Sequence, residues 1–202
     1  RVGKSTIFDL YINELKNSGI KEEQILKINF EEVEYEDLLD RKALYSFIKQ
    51  HMIAGKTLYV FLDEIQRVEG FETVIDSLFV KDNIDLYLTG SNAKFLSSEI
   101  ATILTGRYVE INVLPLSFKE YYDAFKSDKL SRRELFMNYI TYGALPGLLM
   151  FNTGTAGQRE YIEGVYKTIL EKDVLKRNAK AGKQLVEHIL SFLLYNIGCL
   201  TS

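Results

Sequence analysis

Apolar positions in this 202-residue chain fall into short compact runs, separated by stretches in which they recur every three or four residues. The runs "ILKINF", "TLYVFLDE", "IDLYLTGS" and "YVEINVLPL" are rich in β-branched and aromatic residues and predict strands. Between them, "KSTIFDLYINELKNSG" closed by Gly19, "YEDLLDRKALYSFIKQHMIAG" closed by Gly55, "FETVIDSLFVKD", and "NAKFLSSEIATILTG" closed by Gly106 carry helical spacing. This alternation, which lasts to Leu116, predicts right-handed crossovers and a parallel sheet with helices on both faces. From Ser117 onward the spacing is helical, in "SFKEYYDAF", "SRRELFMNYITYGA", "QREYIEGVYKTILEKDVLKRN" and "KQLVEHILSFLLYNIG". The expected organisation is an α/β core over residues 1–116 and an all-helical region over residues 117–202, with "NTGTAG" as a flexible connection.

The chain opens "RVGKST", in which Gly3-Lys4-Ser5 is the closing half of the phosphate-loop pattern G-x-x-x-x-G-K-S/T. Such a loop leaves a buried strand and curls its backbone N–H groups around phosphate oxygens before a helix begins. The expectation is therefore a sheet whose first strand and first loop glycine lie upstream of Arg1. Open parallel sheets bind ligands at the carboxyl ends of their strands, so partners belong where later apolar runs stop. "LYVFLDE" stops at Asp63 and Glu64, the arrangement of a Walker B motif. There Asp63 would hold Mg²⁺ through its water shell and Glu64 would orient the water that attacks the γ-phosphate. "IDLYLTGS" stops at Thr89-Gly90-Ser91-Asn92, where a polar side chain would sense the γ-phosphate, and "LTGRY" puts Arg107 ahead of the last run. Each piece is common alone, and an arginine after a glycine is more often structural. Their succession in one α/β region favours a nucleotide site over coincidence.

Composition narrows the classes. With 47% hydrophobic and 26% charged residues, the chain is globular. Its single cysteine, Cys199, cannot form an internal disulfide and lacks the cationic setting of a nucleophile, so a cytoplasmic home is the expectation. No apolar run approaches the roughly eighteen residues of a membrane span. Charge is uneven, with 14 Lys and Arg against 21 Asp and Glu in residues 1–125, and 11 against 7 beyond. The mildly basic tail lacks an aromatic-basic motif and reads as a solvated face more readily than as a nucleic-acid surface. His51 and His188 have no partners at metal-ligand spacing, and the acidic run "EEVEYEDLLD" lacks EF-hand spacing. Tyr121, Tyr122, Phe118 and Phe125 share helical spacing and read as packing.

Together "RVGKST", "YVFLDEIQRVEGFE", "LYLTGSNAKFLSSEIATILTGRYVEINVLPLSFKEYY" and "YGALPGLL" resemble the prokaryotic AAA-like ATPases that carry a C-terminal domain of unknown function. The likeness runs nearly end to end and implies a chain truncated at both ends. It implies Gly3, Lys4, Ser5, Thr6 and Ser91 as nucleotide ligands, Ser5 and Asp63 as holders of Mg²⁺, and Glu64, Asn92 and Arg107 as catalytic residues. Whether Arg107 serves its own site or a neighbour's stays open. The resemblance also implies ATP as the nucleotide and a winged-helix-like region after the core. A homo-oligomer, and a DNA or protein partner for that region, stay open too.

Three functions follow in order of support. The first is Mg²⁺-dependent hydrolysis of ATP driving a conformational switch, with the 202-residue chain by itself expected to be inactive. The second is a nucleotide-gated binding or regulatory module with little turnover. The third is a DNA-associated motor, suggested by "DEIQ" but opposed by the "TGSN" strand end and the short helical tail.

Overall fold

The structure, a computed structural model, describes residues 2–90, 108–126, 130–175 and 182–197. The chain divides into two compact units, one spanning Gly3–Val113 and the other beginning at Leu114.

In the first unit, α1 (Lys4–Asn17), β1 (Ile25–Asn29), α2 (Arg41–Gln50), β2 (Leu58–Asp63), α3 (Phe71–Phe79) and β3 (Ile84–Leu88) follow one another along the chain. The strands form a parallel sheet in the order β1-β2-β3. Its register runs from Ile25 opposite Tyr59 to Asn29 opposite Asp63, and from Leu58 opposite Ile84 to Leu62 opposite Leu88. Asn29, Asp63 and Thr89 thus share one end of the sheet.

The two-residue period of a strand sorts the core into two layers. On one face Phe61 packs with Phe8, Ile12 and Leu15 of α1, flanked by Tyr11, Tyr59 and Tyr87. The Phe61 ring stacks on Tyr87 at 4.6 Å between centroids and meets the edge of Phe8 at 5.2 Å. On the other face Ile28, Val60 and Leu62 pack with Leu44 and Ile48 of α2 and with Phe71, Val74, Ile75 and Leu78 of α3. The Tyr87 hydroxyl donates to Asp85 at 2.8 Å and lies 3.2 Å from the Tyr11 hydroxyl; burial, with these contacts, pushes its pKa up.

Two expectations need correction. The helix of "YEDLLDRKALYSFIKQHMIAG" is broken, with 3₁₀ turns over Val33–Leu39 and α2 confined to Arg41–Gln50. The break is a cap: the Asp40 carboxylate accepts from the backbone N–H groups of Lys42 and Ala43 at 2.9 Å each, which requires an extended Asp40. The run "YVEINVLPL" forms no strand over Tyr108–Leu116. Strand-forming residues need a neighbouring ladder, and among the described residues β3 has no strand on its outer edge. Val109 and Ile111 are correspondingly 88% and 79% exposed. The expected helix "NAKFLSSEIATILTG" lies outside the described residues.

The second unit contains α4 (Phe118–Phe125), α5 (Arg132–Tyr142), a 3₁₀ segment Pro146–Met150, α6 (Ala156–Thr168) continuing into a π-helical stretch Ile169–Leu175, and α7 (Lys183–Tyr195). Tyr121, Phe125 and Leu135 are buried together with Phe118 and Tyr139 against them, so the aromatic residues of "SFKEYY" pack. A Cβ at Gly147 would lie 2.1 Å from the Tyr161 hydroxyl oxygen, so this position has no room for a side chain as the ring stands. Among the described residues, no helix is long and apolar enough to cross a membrane.

Both α4 and α5 begin with reciprocal caps. The Ser117 and Ser131 hydroxyls accept from the backbone N–H of Glu120 and Glu134, whose carboxylates accept in turn from the serine backbones at 2.7 Å. Hydrogen bonds from the serine hydroxyls, then from the serine backbone N–H groups, hold both carboxyls below the ordinary carboxylate range.

A depressed folded-state pKa stabilises fully above the unfolded value and is lost as pH falls through the folded one. The thermal unfolding midpoint followed by helical circular dichroism should therefore fall on acidification below about pH 4, the ordinary glutamate value. The Glu120→Gln/Glu134→Gln protein should lose less over the same interval, because a carboxamide oxygen still accepts the cap bond. In the first unit, Phe61→Ala should cost about 3–5 kcal/mol by denaturant titration, whereas Phe61→Leu should cost clearly less.

Candidate nucleotide site

The carboxyl end of the sheet collects the site residues. Gly3 caps α1 with φ 93° and ψ 18°, a left-handed conformation that glycine adopts without a Cβ penalty. Its carbonyl accepts from the N–H of Ile7 at 3.0 Å, which starts the helical ladder. The first turn of α1 holds no acidic residue, so its exposed N–H groups and dipole favour an anion. Ser5 and Thr6 lie on this turn with exposed side chains. Lys4 is half-buried, and its ammonium donates to the Gly90 carbonyl at 3.1 Å, linking the start of α1 to the end of β3.

Asp63 ends β2 at 2% exposure and accepts from the Thr89 hydroxyl. Glu64 follows with φ 56° and ψ 42°, the one non-glycine residue with positive φ among those described. Its carboxylate accepts from the Gln66 carboxamide, and its backbone N–H donates to the Thr89 hydroxyl at 3.1 Å. Beside Asp63, Asn29 donates to Glu32 at 2.9 Å and accepts from the backbone of Glu31 at 3.0 Å.

Hydrogen bonds thus run from Lys4 through the Thr89-Gly90 segment to Asp63 and Glu64. Of the residues singled out in the sequence, these three are brought together with Gly3, while Ser5 and Thr6 occupy the adjoining turn. Ser91, Asn92 and Arg107 lie outside the described residues. Thr89 is marked in the sequence only as part of the polar strand end, and Gln66 is not marked at all. Thr89 had a signal, since an acidic residue ending a buried strand requires a donor and a threonine ends the neighbouring run. Gln66 had no comparable signal.

A helix N-terminus carrying a lysine, set against an acidic pair at the carboxyl end of a parallel sheet, is the layout of an α/β phosphate-binding domain. A family model described as an AAA domain matches residues 1–122, and the chain belongs to that AAA-like P-loop ATPase family. It is 36% identical over its whole length to an uncharacterized protein of Haemophilus influenzae, of which it covers 51%. It is also 30% identical, over 87% of its length, to an uncharacterized protein of Methanocaldococcus jannaschii, of which it covers 42%. The chain therefore spans about half the length of these relatives. No solved structure matches it.

The left-handed backbone of Glu64 costs roughly 1 kcal/mol for a residue with a Cβ. Glu64→Gly should accordingly gain up to about 1 kcal/mol in denaturant titration while removing the carboxylate, and Glu64→Gln should show no such gain.

Proposed function

We propose that this chain forms the nucleotide site of an ATPase that binds ATP with Mg²⁺ and hydrolyses it to drive a conformational switch. The observation that carries the reading is the hydrogen-bonded line from Lys4 at the start of α1 to Asp63 and Glu64 at the end of β2, in a chain of the AAA family. The choice of ATP follows the family.

Gly3 and the first-turn N–H groups of α1 receive phosphate oxygens, together with Ser5, Thr6 and Ser91. Lys4 exchanges its contact with the Gly90 carbonyl for the β- and γ-phosphates. The Ser5 hydroxyl and the Asp63 carboxylate are hard oxygen donors, the set that Mg²⁺ takes, and they would hold it. When bound, the ion neutralises charge on the β- and γ-phosphate oxygens. Glu64 orients the attacking water and accepts its proton, Asn92 senses the γ-phosphate, and Arg107 stabilises the developing charge from its own or a neighbouring subunit. Residues 1–116 form the core, and residues 117–202 form a winged-helix-like output region open to a DNA or protein partner, in a cytoplasmic protein.

One observation favours a second reading, a nucleotide-gated module with little turnover. The Gln66 carboxamide donates to the Glu64 carboxylate and so takes up part of its capacity to accept from water.

Nucleotide titration and phosphate release in the intact protein separate the two. Lys4→Ala should weaken ATP binding at least about tenfold, or about 1.4 kcal/mol. Glu64→Gln should keep binding and lower kcat by about a hundredfold or more, because the glutamate acts on water rather than on ground-state phosphate. A Glu64→Gln protein turning over at the parental rate would remove Glu64 from the hydrolytic role, whereas ATP binding with little phosphate release in the unaltered protein would leave the gated module.

A further inference from the structure

Thr89 stands one residue beyond β3 and is 7% exposed. Its backbone is tied to the Asp63-Glu64 turn on both sides: its N–H donates to the Leu62 carbonyl at 3.0 Å, and its carbonyl accepts from Ile65 at 3.1 Å. Its hydroxyl lies between the two acidic residues. It accepts from the Glu64 backbone N–H at 3.1 Å and donates to Asp63 Oδ1.

A hydroxyl has one proton, and a backbone N–H can only donate. Acceptance from Glu64 therefore uses a lone pair, and the proton goes to Asp63. The carboxylate plane of Asp63 is fixed through Oδ1, while its other oxygen keeps its accepting capacity. On the opposite side, the same oxygen atom anchors the N–H of the residue whose backbone is left-handed. One side chain thereby sets the direction of the Asp63 carboxylate and the backbone turn that carries Glu64.

We propose that Thr89 is a positioning residue for hydrolysis, its hydroxyl aligning Asp63 for the metal and Glu64 for water at once. This rests on the ATPase reading above. Loss of the hydroxyl frees the Asp63 carboxylate to rotate and leaves the Glu64 N–H without its acceptor. Gly3 and the first turn of α1 make no bond to that hydroxyl. The loss should therefore appear in turnover and metal requirement rather than in nucleotide affinity.

Three substitutions in the intact protein test this, with ATP hydrolysis followed against ATP concentration and the half-saturating Mg²⁺ concentration read from calorimetric binding of a non-hydrolysable ATP analogue. Thr89→Val, of equal size without the hydroxyl, should lower kcat at least about tenfold and raise the half-saturating Mg²⁺ concentration several-fold, with KM for ATP within about threefold. Thr89→Ser, which restores the hydroxyl, should return both to within about threefold of the parent. Should the valine protein fail to fold, Thr89→Cys offers a weak donor of similar size and should give an intermediate kcat with a raised Mg²⁺ requirement.

Unchanged kcat and Mg²⁺ requirement in the valine or cysteine protein would overturn the role and leave the ATPase reading standing. A serine protein as impaired as the valine protein would likewise reduce Thr89 to a packing residue. If the unaltered protein neither binds nor hydrolyses ATP, the ATPase reading falls and takes the role with it.

Discussion

A carboxylate withdrawn from water must be met by donors, and Asp63 places that demand at the centre of the first unit. It ends the strand that, among the described residues, has neighbours on both edges. The hydroxyl that meets it stands one residue beyond the next strand, so the acidic turn and the end of β3 form one hydrogen-bonded body. The backbone of that body also holds the lysine at the start of α1, through the Gly90 carbonyl. Sheet register, helix placement and site chemistry are linked there: with Leu62 opposite Leu88, Thr89 falls beside Asp63.

The two faces of the sheet support this end differently. Toward α1 the contact is aromatic, with Phe8, Tyr11, Phe61 and Tyr87 meeting at their edges and faces. Toward α2 and α3 it is mainly aliphatic and almost fully closed to solvent. Phe61 and Leu62 are neighbours in β2 that anchor opposite layers, and both lead directly into Asp63. The strand that carries the acidic residue is therefore clamped from above and below as well as from both sides.

Much of this was legible in sequence because it depends on local period. The runs at Ile25–Asn29, Leu58–Asp63 and Ile84–Leu88 are strands, the chain from Lys4 is a helix, and their alternation gives the parallel order. The family was legible through the same segments and the residues between them. What depends on a partner elsewhere was not. Apolar spacing runs unbroken across Asp40, and only the cap geometry shows that its side chain competes with the helix it appeared to join. Tyr108–Leu116 has strand propensity without a ladder to join among the described residues. Thr89 and Gln66 are ordinary polar residues until folding brings each to a particular acidic neighbour.

Parallel pairing also sets an order of assembly. Ile25 meets Tyr59 and Leu58 meets Ile84 only after long intervening segments have closed, so these contacts are non-local and pay loop entropy before they are rewarded. The caps of α4 and α5, by contrast, join residues three apart and need no such closure. On a ribosome, Asp63 and Glu64 emerge before the threonine that bonds to both, and those hydrogen bonds form only once β3 has docked. The site is consequently a late product of folding, and fraying of that one strand would disarm it while β1 and β2 stayed paired.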